Sequence, residues 1–211
     1  MGLLEPHERH RRRFRQADLS SSMFRSLLPT VARWRSLEGE GLEHLNITPA
    51  GNTINATGVI IGERGDVPYG VRYSIDCASD WRVFHFLIET TSGLTLELKS
   101  DGNGRWTTMA GDVLSGFDGC IDIDLAGTPF TNTLPIRRLG LTPESGTVQL
   151  DMLYVPFNSF RPLRDSQRYT CLKEDKLYRY AAADRTFTAE LPVDEDGLVT
   201  DYPTLFQRLP V

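Results

Sequence analysis

The sequence predicts a mainly β protein of antiparallel strands, and three observations support this fold class. From residue 41 onward, apolar and polar residues alternate with a period of two, which is typical of strands with one buried face. The 18 glycines and 12 prolines lie mostly between these runs, where they favour turns. Helical periodicity is scarce: one short amphipathic stretch covers residues 22–34, and Pro29 interrupts it. We therefore expect a sheet protein with few short helices.

Nine segments carry the strand pattern most clearly. Val71, Tyr73, Ile75 and Cys77 share one face of the first segment, and polar residues occupy its other face. The Asp-Gly and Asn-Gly pairs over 101–104 favour a tight turn, because they tolerate positive φ angles. The nine predicted strands are Val71–Cys77, Arg82–Glu89, Leu94–Leu98, Cys120–Leu125, Ile136–Leu141, Val148–Val155, Arg168–Leu172, Leu177–Ala181 and Phe187–Leu191.

A ten-residue pattern occurs twice in the chain. Residues 95–104 and residues 188–197 both read T-x-E-L-x-x-D-x-x-G. Each copy closes a run of predicted strands, as the two halves of a duplicated sheet would. This predicts a pseudo-twofold fold whose halves cover about residues 32–110 and 111–211.

Charge divides the chain into a basic head and an acidic body. The whole chain carries a formal charge of −5, but residues 1–36 carry +5 and residues 37–211 carry −10. We expect residues 1–25 to form a flexible basic tail and residues 26–211 to form a single β domain. The acidic body argues against a specific nucleic-acid partner, whereas the tail could make weak contact with an anionic surface.

Three cysteines, Cys77, Cys120 and Cys171, are too few and too widely spaced for a disulfide framework or a zinc site. Reduced thiols and the absence of a secretory signal predict a cytoplasmic protein. The sequence also lacks a run of about 18 apolar residues, so we expect no transmembrane segment. No G-x-S-x-G motif, H-E-x-x-H motif or glycine-rich phosphate loop is present, and we expect neither a cofactor nor a metal.

Residues 119–139 hold the most distinctive chemistry. Strand alternation places Asp122 and Asp124 on one face, and Asn132 lies in a turn-rich connection. In the predicted strand that follows, Arg137 and Arg138 point to opposite sides, so one guanidinium group faces inward. An inward arginine is costly unless it is paired. Two interpretations stay open: a buried ion pair with Asp122 or Asp124, or a polar floor that binds a ligand head group.

Aromatic residues offer apolar walls for such a ligand. Tyr73, Trp81 and Trp106 could stack on a sugar ring or cover an acyl chain, although aromatic residues more often pack in a core.

Several strings resemble a bacterial family of glycolipid-binding proteins. The resemblance covers roughly residues 32–209, and Trp34, Tyr73 and Trp81-Arg82 fit its earlier positions. The strings are GCIDIDL (119–125), TPFTNTLPIRRL (128–139), QRYT (167–170) and VDEDGLVTDYP (193–203). The resemblance implies a strongly curved antiparallel sheet or barrel with twofold pseudosymmetry, similar to periplasmic lipoprotein carriers. It also implies the binding of a glycolipid.

These observations together predict a non-catalytic protein that binds a glycolipid or related amphiphile in a cavity of a β-barrel-like fold. One alternative is an enzyme that acts on a sugar-containing or phosphorylated small molecule, with Asp122 or Asp124 as the acid or base. Another is a module that binds a protein partner. The candidate ligand-binding residues are Arg137, Arg138, Asn132, Asp122, Asp124, Trp81, Trp106 and Tyr73.

Overall fold

Two β-sheets form the fold in the computed structural model, which describes residues 24–210. The first sheet has nine strands: β1 (Thr30–Ser36), β2 (Leu42–Ala50), β3 (Thr53–Arg64), β4 (Val67–Ala78), β5 (Val83–Thr90), β6 (Thr95–Ser100), β7 (Trp106–Thr108), β13 (Asp201–Tyr202) and β14 (Phe206–Arg208). The second has five: β8 (Asp122–Leu125), β9 (Thr147–Val155), β10 (Leu163–Lys173), β11 (Leu177–Ala182) and β12 (Thr188–Pro192). The predicted mainly β, antiparallel fold class is confirmed.

Hairpins account for most of the strand order. The first sheet runs β13-β14-β1-β2-β3-β4-β5-β6-β7, so that the end of the chain pairs with β1, with Trp34 opposite Arg208. The second sheet runs β12-β11-β10-β9-β8. Its pairs are antiparallel except for β8 and β9, which are parallel and joined by a connection that contains a helix. Eight of the nine predicted strands therefore overlap observed strands.

The ninth predicted strand, Ile136–Leu141, is wrong. Residues Thr133–Leu139 form the helix α1, which continues directly from a 3₁₀ turn over Pro129–Asn132. The Thr128 side chain accepts a hydrogen bond from the Phe130 backbone N–H, and Gly140 ends the helix in the left-handed conformation at φ 54°. Two arginines in the last turn also suit the negative end of the helix dipole. The apolar spacing agrees with these terminal signals, because Ile136 and Leu139 lie three residues apart, as on one face of a helix, and do not alternate with polar residues.

The predicted amphipathic stretch over residues 22–34 is not a helix where the structure describes it. Residues 24–29 have no regular secondary structure, and Ala32 and Trp34 are buried on one face of β1. Of the predicted tail, residues 1–23 lie outside the described residues. Phe24 is buried, and Arg25 pairs with acidic residues of the body.

The core lies between the sheets in two clusters. The larger one joins inward residues of the first sheet to Ile123 and Leu153 of the second, and Leu134 of α1 belongs to it. The smaller one lies against the remaining strands of the second sheet and contains Ile136 of the same helix. The α1 segment thus fills space between the layers and brings its side chains to both.

The two copies of the repeated pattern have the same local structure. Each follows a strand with an Asx turn, in which the Oδ1 atom of Asp101 or Asp194 accepts two backbone N–H bonds. This likeness is local, so the pseudo-twofold organisation stays a prediction.

Candidate ligand-binding site

The guanidinium group of Arg137 lies between two aromatic rings at the end of α1. Its central carbon is 4.9 Å from the centroid of the Phe24 ring and 5.0 Å from that of the Trp81 ring. Ring faces attract a planar cation, and such stacking fixes its orientation. The two rings therefore hold the cation in place without neutralising its charge.

Among residues 24–210, the hydrogen bonds of Arg137 go to backbone carbonyl groups. Its Nη1 and Nη2 atoms each lie 3.3 Å from the carbonyl oxygen of Arg25, and Nη1 is 3.4 Å from that of Asp196. The buried Nε atom has no hydrogen-bond partner. Burial lowers the pKa of Arg137, and nearby acidic residues only partly oppose this effect. The guanidinium group therefore has capacity left for an anion or a polar oxygen.

Arg137 and Trp81 line an open cleft of about 440 Å³. The turn between β2 and β3 contributes to the lining on one side, and residues 24–27 contribute on the other. Apolar side chains of Leu27 and Ile54 are mixed with the polar side chains of Ser26, Thr53 and Ser79. Polar and apolar side chains are about equally numerous in this lining, which suits a small amphiphilic ligand.

An ion pair fastens the segment that forms one side of the cleft. The Arg25 guanidinium donates to both carboxylate oxygens of Asp196, at 2.7 and 2.6 Å, and also contacts Glu195. Asp196 is almost fully buried, so this bidentate pair ties the segment firmly to the turn after β12. Because Asp196 is paired with Arg25, no carboxylate of residues 24–210 forms an ion pair with Arg137.

Trp81 has an unusual backbone at this site. Its φ angle is 68°, a left-handed conformation that is unfavourable for a bulky residue. A tight turn imposes this conformation: the Trp81 N–H donates to the Ala78 carbonyl, and the Ala78 N–H donates to the Arg82 carbonyl, each at 2.9 Å. The turn brings the indole ring beneath Arg137, which links the strained backbone to the cleft.

Arg138 has a structural partner instead of a place in the cleft. Consecutive helical residues point about 100° apart, so Arg138 turns towards β8 while Arg137 turns towards the cleft. The Nε atom of Arg138 donates to Oδ1 of Asp122 at 3.0 Å, and its Nη2 atom donates to Oδ2. The two side chains are 10% and 1% exposed. Burial raises the pKa of Asp122, and the bonds from Arg138 partly oppose the rise. The structure shows the buried ion pair that the sequence left as one of two interpretations.

Asp124 and Asn132 belong to a second internal network. Asp124 accepts hydrogen bonds from Gln167 at 2.6 Å and Thr131 at 3.1 Å, and burial raises its pKa. The Tyr169 hydroxyl donates to Oδ1 of Asn132 at 2.9 Å. These contacts tie the loop before α1 to β10, well away from Arg137's cleft lining.

All three predicted aromatic walls belong to the core, and of the three only Trp81 also lines the cleft. Trp106 is 0% exposed, and its indole N–H donates to the Cys120 carbonyl at 2.7 Å. Tyr73 lies flat against Gly58, where an added Cβ would come within 2.3 Å of its ring. The structure thus brings together Trp81 and Arg137, and places the other six predicted residues outside the cleft lining.

Sequence reasoning missed Phe24, Arg25 and Asp196. The first two were assigned to the basic tail, and Asp196 lies in an acidic turn that has no recognisable binding motif. One signal was available: the acidic run Asp194-Glu195-Asp196 is a natural partner for an arginine of the basic head.

Among residues 24–210, no group of three or more His, Cys, Asp or Glu side chains is arranged to hold a metal ion. None of the helices in this part of the chain has the length and apolar character to cross a membrane.

Comparisons with known proteins identify the family. A family model described as "Putative glycolipid-binding" matches residues 31–208. The crystal structure of a DUF1089 family protein from Pseudomonas aeruginosa is similar, with a TM-score of 0.70 and 38% sequence identity, and the match covers 80% of this chain and 92% of that one. A comparison with curated proteins returned no significant match. The family match spans most of the chain and confirms the resemblance found in the sequence, so this chain belongs to the family described as "Putative glycolipid-binding".

Proposed function

We propose that this protein binds a glycolipid or related amphiphile in the cleft beside Arg137, without catalysing a reaction. The family match supports a binding role. The observation that carries the proposal is the guanidinium group of Arg137, which two rings hold at the cleft and which contacts no carboxylate among the described residues. A phosphate, a carboxylate or sugar hydroxyl groups of the ligand would complete its hydrogen bonds.

The apolar part of the ligand has a surface to contact in the same cleft. Leu27 and Ile54 line it, and the neighbouring Leu28 is 57% exposed. An acyl chain lying along these residues would remove apolar area from water, at about 25 cal/mol per Å². The polar head of the ligand would thus contact Arg137, and its apolar chain would contact Leu27 and Ile54 in the same cleft.

Titrating the protein with amphiphiles that carry one alkyl chain tests the proposal. Octyl phosphate and octyl glucoside share an eight-carbon chain and differ in the head group, and both are used below their micelle concentrations. We expect calorimetry to detect binding, and the Arg137→Gln variant to lose about tenfold or more in affinity for octyl phosphate. Native mass spectrometry after purification without detergent checks for a co-purified glycolipid.

The control is Arg33→Gln, which removes an exposed arginine from the same fold. This variant should bind both probes as the wild type does. Unchanged affinity in Arg137→Gln, or no binding of either probe to the wild type, would overturn the proposal.

The acid–base alternative has less support in the geometry. Asp122 is fully occupied by Arg138, and Asp124 by Gln167 and Thr131, so neither carboxylate lines the cleft. Substrate would have to displace these internal bonds before either group could transfer a proton.

A further inference from the structure

Glu43 is a buried carboxylate that the proposed function leaves unused. It lies on β2 and faces the core together with Leu45 and Ile47. The side chain of Tyr73 donates a hydrogen bond to its Oε1 at 2.6 Å. Glu43 is 4% exposed, and its Oε2 atom has no partner among the described residues. A buried unpaired oxygen of this kind is costly and requires an explanation.

The surroundings of Glu43 do not supply a directly bound cation. Burial raises the pKa of Glu43 to about 7, while the hydrogen bond from Tyr73, the nearby Thr128 hydroxyl, which lies outside hydrogen-bond geometry, and the charge of Arg208 partly oppose the rise. Arg208 stacks on Trp34 at 4.8 Å and donates to Asp194 at 3.4 Å. Its charge is therefore engaged elsewhere, and the free oxygen of Glu43 is left to accept a hydrogen bond.

Glu43 lines the inner end of a funnel that opens at the surface. The inner pocket has a volume of about 10 Å³, with Trp34 and Ile60 beside Glu43. An outer pocket of about 180 Å³ shares Ser36, Tyr69 and Phe206 with it, so the two adjoin. A volume near 10 Å³ holds a group about the size of one water molecule. Only a slim polar end of a ligand would fit beside Glu43.

The mouth of the funnel carries an excess of negative charge. Glu38, Glu63 and Asp66 line the outer pocket, with Arg64 as the one basic residue in its lining. Further in, the rings of Tyr69 and Phe206 form the throat. Carboxylates outside and aromatic faces inside attract cations, and ring faces bind ammonium groups in particular.

We propose that this funnel binds a primary amine, whose ammonium group passes the aromatic throat and donates a hydrogen bond to the free Oε2 atom of Glu43. Three independent features agree on this class of ligand: an unpaired acidic oxygen at the base, aromatic rings at the throat and carboxylates at the mouth. The narrow base selects an unbranched amine.

The funnel is separate from the Arg137 cleft. Thr53 and Ile54, at the first end of β3, line the cleft, whereas Glu63 and Arg64, at the other end, line the funnel. The opposite charges of the two sites favour opposite ligands. The amine site therefore goes beyond the proposed function and can be tested independently of it.

Titration of n-pentylammonium chloride at pH 8 tests the amine site, with pentan-1-ol as the neutral probe of the same shape. We expect the wild type to bind the ammonium ion and the Glu43→Gln variant to lose about tenfold to a hundredfold in affinity. The matched control is Glu89→Gln, which removes an exposed carboxylate of the same sheet and should leave the affinity unchanged.

A second variant keeps Glu43 and closes the throat. Ser36→Phe places a large side chain where the inner and outer pockets meet, and we expect it to abolish binding of pentylammonium. The Arg137→Gln variant should bind pentylammonium as the wild type does. Equal affinity for pentan-1-ol and pentylammonium, no binding to the wild type, or unchanged binding in both Glu43→Gln and Ser36→Phe would overturn the amine site.

Discussion

Replacing Arg138 by methionine tests whether the Arg138–Asp122 pair stabilises the fold. Methionine fills much of the arginine volume but leaves the Asp122 carboxylate, which is 1% exposed, without its cation. Removing one partner of a buried ion pair costs about 3–5 kcal/mol. We therefore predict that Arg138→Met lowers the free energy of unfolding by about 3–5 kcal/mol at pH 7.

The pH dependence of this loss is a second signature. Without Arg138, the pKa of buried Asp122 lies further above its unfolded value, because burial then acts without its largest opposing contribution. The folded variant holds a proton that the unfolded chain releases, so its stability falls as pH rises above the unfolded pKa of about 3.9. The difference from the wild type should shrink as the pH is lowered from 7 towards 4.

Urea unfolding followed by tryptophan fluorescence measures both effects, because Trp34, Trp81 and Trp106 are all buried. The control is Arg179→Met, whose partner Glu190 lies in an exposed pair, and which should cost less than about 1 kcal/mol. A double replacement of Arg138 and Asp122 by apolar residues should recover most of the loss. A loss below about 1 kcal/mol in Arg138→Met at pH 7, equal to that of the exposed pair, would refute this reasoning.

Three further predictions concern the rest of the fold. Gly58→Ala should lower the free energy of unfolding by about 1–3 kcal/mol, because the added Cβ would overlap the Tyr73 ring. Gly116→Ala is the control, because the space around Gly116 is open. Equal urea midpoints for the two variants would contradict the clash. Burial alone would lower the pKa of His85, but the hydrogen bonds that its ring donates to the Glu97 and Asp76 carboxylates outweigh this effect and raise the pKa. Its stabilising contribution should be complete below about pH 6.5 and disappear as pH rises through the folded pKa, so the wild type should lose more stability than His85→Gln between pH 6 and 8.5. The three cysteines are buried and burial raises the pKa of each thiol, so a thiol reagent should label them only after unfolding; rapid labelling of the native protein would be inconsistent with this burial.

The strands were predictable because burial of one face leaves a period of two in the sequence. That signal is strong over seven residues in Val71–Cys77, and it is missing from Ile136–Leu139, where two adjacent arginines separate the apolar residues. In the second segment, the ends of the helix are set by a capped 3₁₀ turn and by Gly140. Strand β1 escaped prediction because only two of its residues, Ala32 and Trp34, carry the buried alternation. The long strands β2 and β3 were also not among the nine predicted strands, although they lie in the region of two-residue periodicity.

The candidate site was predictable in part. Arg137 and Trp81 stood out by residue type, but the aromatic residues Trp106 and Tyr73 stood out equally and do not line the cleft. Trp81 differs from Trp106 and Tyr73 in lying close to Arg137 in the folded chain. A single sequence does not give such distances. Glu43 was missed for a different reason: an acidic residue in an alternating strand is expected on the exposed face, and here it is buried.

Cross-linking with a photoreactive octyl phosphate, which carries a diazirine on its alkyl chain, tests the central claim most directly. We predict adducts on peptides that contain residues 24–28 or 49–54, which line or adjoin the cleft, and we predict that these adducts are lost in Arg137→Gln. Adducts spread over the surface, or concentrated at the acidic funnel beside Glu63, would contradict the proposal that the Arg137 cleft binds the amphiphile.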